Sequence, residues 1–62
     1  MDVKIQNEGS IVLFELISPE AQGWWAEYVG EGQSWGSRKV VEWRYADDII
    51  GGLVDYGFTV GP

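Results

Sequence analysis

The sequence predicts an α+β domain, a small three- or four-stranded sheet with two helices on one face, in the order β(β)αβαβ. Three observations carry that prediction. Two stretches repeat apolar residues at helical spacing and are each stopped by a glycine, Gly30 and Gly57. A short extended run rich in β-branched and aromatic residues precedes each of them. A further run, Phe58-Thr59-Val60, follows the second. Helices that alternate with strands in this way stack as a layer on a sheet. Residues 1–62 make a single small domain.

Val3-Lys4-Ile5-Gln6 alternates apolar and polar residues and reads as a candidate edge strand, turned back as a hairpin by Asn7-Glu8-Gly9. Ile11 to Ile17 is the strongest strand. Its apolar side chains fall on both faces, which places it centrally in the sheet. Ser18-Pro19-Glu20 opens the first helix with a capping hydroxyl, a proline at the first helical position and an acid at the positive helix end. Ala21, Trp24, Trp25, Tyr28 and Val29 form its stripe, and Gly23 within it costs about 1 kcal/mol against alanine.

Glu31 to Ser37 reads as a loop, and Lys39 to Trp43 as the next strand. The second helix starts at Tyr45, with Asp47 and Asp48 in its first turn and a stripe of Ala46, Ile49, Ile50, Leu53 and Val54. Gly51-Gly52 lies mid-helix, where one of the two allows close approach of another backbone.

Composition narrows the chemistry. The 62 residues contain no cysteine and no histidine, so disulfides, thiolate metal sites and the commonest general base are all missing. Ser10, Ser18, Ser34 and Ser37 have nothing to activate them. The expectation is a non-enzyme with no catalytic residue, no metal site and no cofactor. A net charge of −6 repels phosphate backbones and anionic bilayers, so direct nucleic-acid binding and membrane association are not expected. The longest apolar run is too short to span a bilayer, and Met1-Asp2-Val3-Lys4 does not open a signal peptide. A cytoplasmic protein is expected.

Four tryptophans, three tyrosines and two phenylalanines exceed what so small a core can enclose. Part of that surplus is expected at an interface, carried by the sheet face that the helices leave open. Trp35, between glycines, either folds back on the core or anchors a partner. The candidate binding residues are Trp35 and Trp43, bordered by Glu31 and Glu42. Asp47 and Asp48, adjacent on a helix, point about 100° apart and cannot grip one metal ion together. With Asp55, and with Glu20 and Glu27 if the helices lie side by side, they form a candidate acidic surface; a solvated helix face explains the same residues without function. The glycine-rich stretch from Gly30 to Gly36 fails as a phosphate loop, because it follows a helix and carries an acid.

Gly9-Ser10-Ile11, Pro19 with Trp24-Trp25, Arg44-Tyr45-Ala46 and Gly57-Phe58 resemble the pattern of short bacterial and phage-borne accessory proteins, small acidic products of mobile elements with no settled activity. The resemblance runs from Gly9 to Val60. It implies a mobile-element origin and, by analogy with anti-CRISPR and other anti-defence proteins, action by occluding a host factor. The expected partner is therefore a protein, with a basic surface suited to the charge. The alternative is a structural homodimer that pairs through an open sheet face or edge.

Overall fold

The computed structural model describes residues 1–30, 34, 35 and 37–62, with side chains for all of these except Ser34 and Trp35. In chain order the elements are β1 (Val3–Asn7), β2 (Ile11–Leu16), α1 (Pro19–Tyr28), β3 (Ser34–Trp35), β4 (Arg38–Glu42), α2 (Trp43–Tyr56) and β5 (Val60–Gly61). The sheet order is β3-β4-β2-β1-β5. The β1–β2, β2–β4 and β3–β4 pairs are antiparallel, and β1–β5 is parallel. The predicted class and order are therefore found, with the two-residue β3 added inside a segment that reads as loop.

Local chemistry sets most of the boundaries. The β1–β2 hairpin closes with Glu8 N–H donating to the Ile11 carbonyl, while the Asn7 side chain accepts from Gly9 N–H at 2.8 Å. Ser18 caps α1 by accepting from Ala21 N–H at 3.1 Å, and Pro19 follows at the first helical position. Gly57 ends α2 at φ 109°, a left-handed conformation that a side chain would strain, and its N–H returns to the Leu53 and Val54 carbonyls.

Alternation along β2 decides the layering. Val12, Phe14 and Leu16 share one face and, with Val3 of β1, meet Ala21 and Trp25 of α1 and Ala46 and Leu53 of α2. Both helices thus cover the same side. Phe14, Leu53 and Val3 are fully enclosed, and the Phe14 and Trp25 rings lie 5.1 Å apart. Asp2 ties the chain start to the segment before β5. Its carboxylate accepts from Thr59 N–H at 2.9 Å and from the Thr59 hydroxyl at 3.1 Å, and its carbonyl accepts from Ile17 N–H. Among the described residues no helix is long and apolar enough to cross a membrane.

Several expectations need correction. The strand at 39–43 ends at Glu42, where its partner strand begins, in the pair Ile11↔Glu42; α2 then starts at Trp43 rather than Tyr45. Asp47 and Asp48 consequently leave the first turn. Val3–Asn7 is not an edge strand, because β5 pairs with Val3 and Lys4. That closing strand is Val60–Gly61, later than predicted. Val54 is 55% exposed, since it follows Ile50 along the flank of α2 and beyond the stripe that touches the sheet. Tyr28 and Val29, at the end of α1, are also exposed.

Candidate functional site

The residues singled out in the sequence fall in different places. Glu42 ends β4, and its carboxylate pairs with Arg44 at 3.0 Å. Trp43 opens α2 and is 62% exposed. The Trp35 backbone pairs with Arg38, at the opposite end of β4 from Glu42 and about 13 Å away along the strand. The Trp35 side chain and all of Glu31 lie outside what the structure describes. Its backbone position thus does not place Trp35 beside Trp43.

On the uncovered sheet face the described side chains are polar and aliphatic. Register places Lys4, Gln6, Leu13, Glu15, Arg38 and Val40 there, and it puts the aromatic position Trp35 opposite Arg38 at the rim. Leu13 at its centre is only 4% exposed. Around it, Arg38 approaches Glu15 at 4.0 Å and donates to Gln6 at 3.4 Å, and Gln6 donates to Glu8 at 2.6 Å. An open groove of about 380 Å³ lies here, between Lys4, Leu13, Arg38 and Pro62. Arg38, Glu15, Gln6 and Glu8 answer one another there, while Lys4 is exposed beside them without a partner among the described residues.

The described aromatic surplus sits on the helix side instead. The Trp24 ring lies 5.4 Å from Tyr28 and 6.4 Å, edge-on, from Phe58; Phe58 stacks on Tyr56 at 5.1 Å. These four rings form a continuous row, half-buried in the middle and open at both ends, with Tyr28 63% and Tyr56 64% exposed. Gly52 makes the row possible. A β-carbon on it would stand 3.1 Å from the Trp24 ring, so α2 presents its barest point to α1. The close approach read from Gly51-Gly52 is real, but it admits an indole rather than a backbone.

Helical spacing then locates the acids. Glu20, Trp24 and Glu27 follow one another at i, i+4 and i+7 along α1, and Asp48, Gly52 and Asp55 repeat that spacing along α2. Because Trp24 and Gly52 meet, helical spacing sets the four carboxylates along the two sides of the line where α1 faces α2, a shallow seam or cleft centred on the indole. Asp47 points about 100° away from Asp48, toward the flank with Trp43 and Val54, and is not part of it. All four cleft acids are exposed and, among the described residues, none has an ion-pair or hydrogen-bond partner. The helices hold five acids and a single cation, Arg44. The spacing shared by Glu20–Trp24–Glu27 and Asp48–Gly52–Asp55 was visible in the sequence; their juxtaposition was not.

Chemically the cleft offers aromatic area and negative charge. No known protein family, curated protein or solved structure matches this chain.

Proposed function

We propose that this protein is a stoichiometric protein-binding module that docks a basic partner through the aromatic cleft between α1 and α2. One observation carries the reading: a continuous row of four rings, two of them more than 60% exposed, bordered by carboxylates without partners among the described residues. Rings of this kind supply contact area at low entropic cost and dominate binding energy, while a charged rim sets the approach rate and excludes wrong partners. Of these four acids only Glu20 lies in a first turn, where the helix dipole accounts for it. The absence of histidine and cysteine from the sequence favours binding over catalysis.

Inhibition by occlusion is the form this binding takes in the proposal. The phage or mobile-element origin and the cytoplasmic setting belong to the same proposal, and the origin rests on the resemblance. Self-pairing through the open sheet face has less support, because Arg38 on that face already meets Glu15 and Gln6.

Capture from a bacterial lysate with the wild-type chain, the Tyr28→Ala/Tyr56→Ala variant and an Arg38→Ala variant tests the reading. Retention of a partner by wild type and Arg38→Ala, but not by the tyrosine variant, is expected. A stable dimer in solution that Arg38→Ala dissolves would instead favour the self-pairing alternative.

A further inference from the structure

We infer that the cleft recognises arginine in particular: its partner presents an arginine-rich segment whose guanidinium groups lie on the Tyr28 and Tyr56 rings and pair with the bordering carboxylates. The inference rests on the protein-binding reading above and names the chemistry of the partner.

The chain itself contains the recognition unit. The Arg44 guanidinium carbon sits 5.5 Å from the centre of the Tyr45 ring, while its Nη2 donates to Glu42 at 3.0 Å. One planar cation is thus held between a tyrosine face and a carboxylate. The helix layer carries the same two kinds of group, exposed tyrosine rings and unpaired carboxylates, with no cation between them among the described residues. Tyr28 lies one position after Glu27, and Tyr56 one position after Asp55, so each exposed ring has a carboxylate next to it in sequence. Among the described residues neither carboxylate is paired.

Physical chemistry favours arginine over lysine here. A guanidinium is flat, weakly hydrated and able to stack on a ring while its edge donates to a carboxylate. An ammonium is a strongly hydrated point charge that must choose between the two. A purely electrostatic surface would not distinguish them, because both carry one charge. Two open rings at the ends of a shared aromatic row also favour a segment with several arginines over a single one.

Calorimetric titration with an arginine oligopeptide and a lysine oligopeptide of equal length tests this at one fixed salt concentration. The arginine peptide should bind more tightly, by about 2- to 5-fold for each ring engaged. Tyr28→Leu/Tyr56→Leu keeps the sites apolar but removes the ring faces, and should abolish the preference. Tyr28→Phe/Tyr56→Phe should retain it. Glu27→Gln/Asp55→Asn should weaken both peptides. Equal affinity of the two peptides for wild type, or a preference that survives in the leucine variant, overturns the inference. Binding of neither peptide also overturns it, and tyrosine-dependent capture of a partner in the lysate experiment would then show that the wider binding reading stands without it.

Discussion

The two broad faces of this molecule deal with charge in opposite ways. On the open sheet face Arg38 reaches both Glu15 and Gln6, Gln6 reaches Glu8, and these side chains surround a leucine that is almost fully enclosed. On the helix side Glu20, Glu27, Asp48 and Asp55 are exposed without partners among the described residues, beside four rings in a row. The face with no layer over it is the one that answers more of its charges. The face built from the covering layer is the one that leaves its groups unanswered. A missing layer is therefore a poor guide to a binding surface, and unmatched polar and aromatic groups are a better one.

Both faces depend on the single core between the sheet and the helices, so the largest expected effect is there. Leu53 is fully buried in the centre of the α2 stripe, against the sheet residues that include Phe14. Leu53→Ala should cost about 2–5 kcal/mol, a large fraction of the stability of so small a domain. Urea unfolding followed by circular dichroism measures it. A midpoint close to wild type would mean that α2 does not anchor the fold, and the cleft would lose its positioning element.

The comparison of faces also shows what a sequence can reveal. Signals carried by neighbouring residues were legible: the Ser18-Pro19 helix start, the glycine stops at Gly30 and Gly57, the hairpin at Asn7-Glu8-Gly9 and the Ala46–Leu53 stripe. Features created by pairing across the chain were not. The two-residue β3 exists through its ladder with Arg38 and Lys39, and α2 starts at Trp43 because β4 runs out of partner there. The acidic surface of Asp47, Asp48, Asp55, Glu20 and Glu27 was conditional on adjacent helices; the Trp24–Gly52 contact brings α1 and α2 together, and Asp47 points away from it. The aromatic centre was sought around Trp35 and Trp43. Nothing local marks Trp24, Tyr28, Tyr56 and Phe58 as one surface, since they come together only when the turn after α2 returns past α1.

The second prediction concerns how the cleft is built. Gly51 and Gly52 are neighbours in α2, yet a β-carbon on Gly51 would meet nothing within 4 Å, whereas one on Gly52 would stand 3.1 Å from Trp24. Gly51→Ala should raise stability by about 0.5–1 kcal/mol through helix propensity alone. Gly52→Ala should gain less, because the indole must give way, and it should alter the tryptophan fluorescence that Gly51→Ala leaves unchanged. Equal gains from both would mean that Trp24 does not press on α2, and the row of rings would lose its support.

A third effect comes from the clasp beneath the helix layer. The Asp2 carboxyl is held below its ordinary value of 3.8, chiefly by the Thr59 backbone N–H and then by the Ser18 hydroxyl, with a further bond from the Thr59 hydroxyl. A lowered folded-state pKa means that the stabilisation is fully present above the unfolded value. It is lost as pH falls through the folded one. The window therefore lies below about pH 4. Melting temperatures recorded down through that range should decline less steeply for Asp2→Asn than for wild type. Parallel declines would show that the clasp does not depend on the charge.

The smallest effect is expected on the sheet face, at Arg38. Arg38 is nearly half exposed, its approach to Glu15 is a loose 4.0 Å, and its bond to Gln6 is long at 3.4 Å. Exposed pairs of this kind contribute about 0–1 kcal/mol, and part of any loss on truncation would come from the aliphatic stem packed over the face rather than from the charge. Arg38→Ala should therefore change stability by less than about 1 kcal/mol, and Arg38→Met, which keeps the stem, by less still. Neither substitution should alter partner capture. A sheet-face variant that folds normally but loses the partner would invert the comparison, placing the binding surface on the face that answers more of its charges.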